Sequence, residues 1–346
     1  MTDSRQIKLG VLDQSPIRAG GTPADALSES IQLAKVVERL GYVRYWCAEH
    51  HASEGLAGPS PEIMITRIAS ETTTIRVGSG GVMLPHYSPY KVAENFRLLE
   101  TLYPGRIDLG IGRAPGSDFP TSRALAYGSQ IGADYFPNMV QDLDGFLHDS
   151  LPADHPLGRV RALPETKGAP PIWMLGSSDF GGAYAAHFGI AFSFAHFINP
   201  VGGERVMKAY FDKFQPSARL KEPMASIGVF VVCADTTEAA ERIASTRDLQ
   251  RLRADRGYHG PMPSIEEATA YEYSAPERER VRFNRARTVV GDPPAVRAEL
   301  LALADRYGVD EIVVITNVFN FADRLHSYEL LAEAFGLTPP PGTGDA

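Results

Sequence analysis

The chain has 346 residues, 44% of them hydrophobic and 22% charged, with a formal net charge of −8. That profile describes a globular protein of one large or two smaller domains, long enough to bury a sizeable core. The acidic balance argues against nucleic acid as a partner, and two cysteines, Cys47 and Cys233, exclude a disulfide framework.

The first residues, MTDSRQIKLG, carry no apolar segment of the secretory kind. No apolar stretch approaches the roughly 20 residues of a membrane helix. The expectation is a cytoplasmic protein without a membrane partner.

Ile7 to Leu12 reads as a first strand. Thr22 can cap a helix that opens with Pro23, carries Leu27, Ile31, Ala34, Val37 and Leu40 at helical spacing, and closes at Gly41. Tyr42 to Cys47 is a second strand, Ser60-Pro61 opens a helix to about Glu71, and Ile75 to Leu84 is a third strand. Ser88-Pro89 opens the next helix, and Pro104-Gly105 turns the chain into a fourth strand, Arg106 to Gly112. Ile172 to Leu175, Ala191 to Ala195, Ser226 to Ala234 and Glu311 to Thr316 supply four more. Helices are expected at Asp179 to Phe188 and at Phe321 to Phe335.

This alternation predicts an α/β fold: a closed (β/α)8 TIM barrel forming one domain over residues 1–337, with an open doubly wound sheet as the fallback. Two long insertions follow strands four (Arg113 to Pro171) and seven (Asp235 to about Asp310), and both should lie over the catalytic face. The second is charged and helix-like in RDLQRLRADRG and PERERVRFNRARTVV. Residues 338–346 should form a disordered tail.

Barrel chemistry gathers at the C-terminal strand ends. Strand two ends in Glu49-His50-His51, and strand three contains Gly78-Ser79-Gly80-Gly81. Strand four ends in Gly112-Arg113, strand five in Gly176-Ser177-Ser178, and strand six in Ala195-His196. Gly-Ser-Ser at a helix start is either an ordinary cap or an anion site made of free N–H groups, hydroxyls and the helix dipole. Arg113 beside it suits a phosphate, the alternative being a surface ion pair. The strand-three glycines suit a bulge or the close approach of a flat ligand, or else a tight barrel corner. A phosphate site with room for a planar group describes a mononucleotide, and FMN fits. No Gly-x-Gly-x-x-Gly fingerprint follows the first strand.

AEHH, VGSGGVMLP, YPGRIDLGIGRAPGSD and WMLGSSDFGGAYAAHFG, in that order, resemble the bacterial luciferase-like flavin monooxygenases, in particular the subgroup with a single chain type. The similarity runs from Lys8 to about Leu337. It implies a (β/α)8 barrel that binds FMN. The family's catalytic histidine corresponds to His50. Its non-proline cis peptide under the flavin ring falls at Gly80 and Gly81. Its phosphate-binding arginine corresponds to Arg113, and its phosphate-binding helix start to Ser177 and Ser178, after Gly176. Bacterial luciferase has a reactive cysteine just before that arginine; here Gly112 stands there, so light emission is not expected. Arg251 to Arg287 matches luciferase's mobile loop poorly, and the substrate pocket should lie near it.

Adjacent histidines leave a strand end in different directions, so His50 and His51 are poor co-ligands, and no metal is expected. His50 is read as the acid/base group facing the flavin and His51 as loop support. His196 could reach the same mouth as a second catalytic group, or pack among Phe194 and Phe197. Asp118 and Glu94 are candidate supports for Arg113 or the loops.

The reading is a two-component monooxygenase. It uses reduced FMN as cosubstrate, with O2, a small organic substrate and a separate flavin reductase, and is expected to be a homodimer. F420-dependent hydride transfer is the runner-up cofactor reading. A non-catalytic flavin carrier and a hydrolase with metal on Glu49, His50 and His196 stand behind it.

Overall fold

The computed structural model describes residues 6–114, 118–127 and 133–339; the expected tail lies largely outside them. Nine strands form one all-parallel sheet: β1 (Lys8–Asp13), β2 (Arg44–Cys47), β3 (Arg76–Met83), β4 (Ile107–Gly112), β5 (Ile172–Gly176), β6 (Ala191–Ala195), β7 (Ala225–Cys233), β8 (Thr288–Gly291) and β9 (Glu311–Ile315). The helices are α1 (Pro23–Arg39), α2 (Pro61–Glu71), α3 (Pro89–Leu102), α4 (Phe119–Ala126), α5 (Phe136–Leu147), α6 (Asp179–Phe188), α7 (Gly203–Lys213), α8 (Thr237–Ala254), α9 (Ile265–Ala270), α10 (Ala275–Arg285), α11 (Pro293–Tyr307) and α12 (Phe321–Phe335).

Strands β1 to β7 pair in sequence order, and β9 closes the ring between β7 and β1. The result is a closed eight-stranded (β/α)8 barrel. Nearly every strand residue is buried, as a sheet covered by helices outside and side chains inside requires. Most helices start where local chemistry marks them. Thr22 and Asp25 form a capping box ahead of Pro23, and Pro61, Pro89 and Pro293 each occupy a first turn.

Two details differ from the sequence reading. In α1 the buried stripe is Ala26, Ser30, Leu33, Ala34 and Val37, while Leu27, Ile31 and Leu40 pack at its edge. Ser30 belongs inside because its hydroxyl meets Ser15 Oγ at 2.9 Å and its carbonyl accepts from Tyr45 Oη at 3.0 Å. The second difference is β8, inside the segment read as helix-like. Charged helical periodicity ends with α10, and the β-branched run Thr288-Val289-Val290 then pairs with Phe230–Cys233. The long strand β7 thus pairs with β6 through its first half, with β9 in the middle and with β8, outside the barrel, at its end.

A compensated ion network closes the N-terminal end of the barrel. Arg44 pairs with Asp108 and, through both nitrogens of its fork, with Glu311. Arg76 donates to Asp108 at 2.8 Å, and Trp46 Nε1 donates to the same carboxylate at 3.1 Å. Trp46 and Trp173 meet edge to face at 5.2 Å above this layer. Among the described residues no helix is long and apolar enough to cross a membrane.

Candidate active site

The C-terminal end of the barrel holds a cavity of about 320 Å³. Its lining brings together His50 after β2, Gly80 and Gly81 of β3, Arg113 after β4, and Gly176, Ser177 and Ser178 at the junction of β5 and α6. Of the site residues expected from the sequence, only His196 is missing from that lining.

In β3 the Gly80–Gly81 peptide is cis, and the register against β4 shifts between Ser79 and Val82. Neither glycine has room for a side chain. A Cβ on Gly80 would collide with Leu12 Cδ1 and come within 3.0 Å of Trp46 Cβ. One on Gly81 would lie 2.8 Å from the Gly110 carbonyl. The cavity therefore has a floor of bare backbone, which lets a flat group lie close.

At the β4 and β5 ends, the half-buried Arg113 has its Cζ 4.8 Å from the centre of the Phe180 ring, and among the described residues it pairs with no carboxylate. Ser178 is the extended N-cap of α6, yet its side chain makes no capping hydrogen bond. The first-turn Asp179 is exposed and pairs outward with Arg205 at 3.3 Å. An unpaired guanidinium, two hydroxyls and an uncapped helix start converge here, the donor set of a phosphate site. Asp118 caps α4 by accepting from Thr121 N at 2.9 Å, and Glu94 pairs with Lys91 at 3.3 Å.

At the β2 end, Glu49 is a clamp. Its carboxylate accepts from Met83 N at 3.0 Å and Tyr87 Oη at 2.7 Å, and lies 2.8 Å from His51 Nε2. Burial, then the bond to Glu49, pushes the Tyr87 phenol up. The clamp ties the end of β2 to the end of β3 and fixes the chain on both sides of His50. Nδ1 of His50 is buried without a hydrogen-bond partner among the described residues. Burial, with the neighbouring His51, lowers the His50 pKa to about 4, so the ring is neutral at neutral pH.

His196 is buried elsewhere, with Nδ1 2.8 Å from Tyr307 Oη on α11. Burial lowers its pKa to about 4. Glu49 and His196 thus meet different partners, and no group of three His, Cys, Asp or Glu is placed to hold a metal among the described residues.

The lining also includes Gln14, Phe136 and Tyr184, which sequence reasoning missed. Gln14 directly follows β1, so treating the first strand end like the others would have found it. Phe136 and Tyr184 look like ordinary helix-face aromatics and carry no such mark.

A profile described as luciferase-like monooxygenase matches residues 7–311. The chain belongs to the luciferase-like monooxygenase family. It is an enzyme, an oxidoreductase of the monooxygenase type. The chain is 48% identical over 329 residues to the uncharacterized protein YceB of Bacillus subtilis (strain 168), covering 95% of this chain and 99% of that one. It is 37% identical over 331 residues to the N-acetyl-S-alkylcysteine monooxygenase of the same organism, covering 95% and 98%. Among solved structures, apo-MsnO8 superposes with a TM-score of 0.90 at 41% identity, over 96% of this chain and 100% of that one. Likeness in fold alone extends to the oxygenating constituent of 3,6-diketocamphane monooxygenase from Pseudomonas putida, in complex with FMN (18% identity, TM-score 0.67, 96% and 98% covered). It extends equally to an F420-dependent secondary alcohol dehydrogenase (10% identity, TM-score 0.64, 95% and 99% covered).

Proposed function

We propose that this family member is a two-component, FMN-dependent monooxygenase that uses reduced FMN and O2 to oxidise a small organic substrate. The observation that carries the reading is the single cavity in which an unpaired Arg113, the uncapped start of α6, a side-chain-free Gly80–Gly81 floor and the orphaned Nδ1 of His50 all meet. Arg113, Ser177 and Ser178 would hold the phosphate, and the glycine floor would face the ring system. Reduced FMN, when bound, supplies the electrons that activate O2. The protein's part is to orient, to exclude water and to move protons. Leu12, Met174 and Phe136 make the walls apolar. His50, neutral and lacking a partner on Nδ1, can exchange a proton with whatever enters beside it, and the Glu49 clamp holds it in place.

Among the described lining residues Arg113 is the one Lys or Arg. That suits a single phosphate better than the longer anionic tail of F420. A separate flavin reductase would supply the electrons. The reading takes the protein as a cytoplasmic homodimer. Exposed Ile63 on α2, with Leu98 and Leu102 on the neighbouring α3, supports that state, and light scattering on the purified protein tests it.

Fluorescence titration of the purified protein with FMN, riboflavin and F420 tests the cofactor. FMN should bind tightest. Arg113→Ala should weaken FMN by about 10- to 100-fold, the worth of one charge-assisted contact, with little change for riboflavin. Equal weakening of both, or preference for F420, rejects the assignment.

A further inference from the structure

A second cavity, of about 340 Å³, adjoins the first and shares Gln14, His50, Phe197 and Ile198 with it. Its far wall comes from the insertion after β7. Residues 247, 250, 251 and 254 line it from one face of α8, and Arg287 closes it just before β8. Among the described residues the lining contains three arginines and no Asp or Glu.

Two of those arginines are deeply buried and form no ion pair among the described residues. Arg247 is 7% exposed. It lies with Cζ 3.4 Å from the centre of the Phe230 ring and donates to Thr288 Oγ1 at 3.1 Å. Arg287 is 8% exposed and donates to Ile198 O at 3.2 Å and Asn284 Oδ1 at 2.7 Å. Neither forms an ion pair among the described residues. The nearby carboxylates are engaged elsewhere: Asp248 takes Arg285 in a two-pronged pair, and Asp255 takes Arg280 at 2.6 Å and Arg251 at 3.0 Å. Arg251 has a buried Nε with no partner among the described residues. Burial, with the neighbouring arginines outweighing the partial offset from Asp248, lowers the Arg247 pKa to about 9.

A buried guanidinium without an acid is costly in the free protein, and it recovers that cost when an anion arrives. Several forked donors around one cavity suit a planar carboxylate. We infer that this second cavity is the anchoring end of the substrate pocket, and that the enzyme oxidises organic acids whose carboxylate is gripped by Arg247 and Arg287 while the oxidisable end reaches past His50 into the first cavity. The inference rests on the proposed function only for the chemistry of the first cavity; the anion site itself does not.

The experiment is calorimetric titration in chloride-free buffer with hexanoate and, as its neutral counterpart, hexanamide, on the flavin-free and FMN-loaded protein. Wild type should bind hexanoate at least tenfold more tightly than hexanamide. Arg247→Met and Arg287→Met should each weaken hexanoate at least tenfold and leave hexanamide and FMN within twofold. Both variants should unfold at or above the wild-type temperature, since each removes an uncompensated charge; if one fails to fold, the other carries the comparison. Hexanoate binding no tighter than its amide, or undiminished in the variants, overturns the inference. Loss of FMN binding with the carboxylate preference intact would instead overturn the cofactor reading and leave the anion site standing.

Discussion

The two ends of this barrel treat buried charge differently. At the N-terminal end, Arg44 and Arg76 face Asp108 and Glu311, and Asp108 accepts from three donors. At the C-terminal end the buried Asp13 at the end of β1 is paired with Arg324 at 2.6 Å, but Arg113, Arg247 and Arg287 form no ion pair among the described residues, and His50 Nδ1 has no partner there either. Arg44, Arg76 and Arg113 sit at the ends of barrel strands, Arg247 on α8 and Arg287 just before β8. Charges that serve only the fold are paired, because an unpaired one costs several kcal/mol. On the proposed reading, the charges left unpaired at the other end await a ligand, and stability made elsewhere in the barrel tolerates them.

The contrast is easiest to break from the N-terminal side. Asp108→Ala leaves the buried Trp46 Nε1 and half of the buried Arg44 fork without an acceptor and should destabilise the fold by about 3–5 kcal/mol, read by denaturant unfolding. A loss below about 1 kcal/mol would mean that this end is no more dependent on pairing than the other.

The next largest effect is an acid limb set by the buried histidines. The His50 pKa is depressed from 6.5 to about 4 in the folded protein. The unfolded chain therefore binds more protons between these values, and stability falls as the pH drops from about 6.5 to about 4. His50 should contribute up to about 3 kcal/mol of that loss. His50→Gln should flatten the limb, leaving the part due to His196, and keep FMN affinity nearly intact while slowing substrate oxidation about 100-fold or more. An unchanged turnover rate would dismiss the proton-transfer role; an unchanged acid limb would dismiss the burial argument.

The smallest effect sharpens the comparison within one structural type. Asp292 caps α11 by accepting from Ala295 N at 3.0 Å, whereas Ser178 makes no such bond at α6. Asp292→Ala should cost about 1 kcal/mol and Ser178→Ala less than about 0.5 kcal/mol in thermal unfolding. Only Ser178→Ala should weaken FMN. Equal costs would make Ser178 an ordinary cap.

Much of this molecule is legible in its sequence. The barrel strands and several helix starts follow from apolar runs, Pro and capping residues, and α6 and α12 fall where expected. That Arg113 and Gly176-Ser177-Ser178 line one cavity is legible too, because they sit directly at strand ends. The strand β8 is hidden behind a charged helical rhythm. The α8 arginines are hidden more deeply: RDLQRLRADRG looks like a solvated face, and α8 buries Arg247 and Asp248.

The sequence by itself determined the elements and their order, because caps, turns and apolar periodicity act over a few residues. Only the tertiary structure decided which charges are satisfied. Glu49 finds Tyr87 38 positions along the chain, and Asp13 finds Arg324 311 positions away, while Arg247 forms no ion pair among the described residues because the adjacent Asp248 is taken by Arg285. Whether two charges meet as an ion pair is a matter of distance through space and of the dielectric around them, which the order of residues along the chain does not fix.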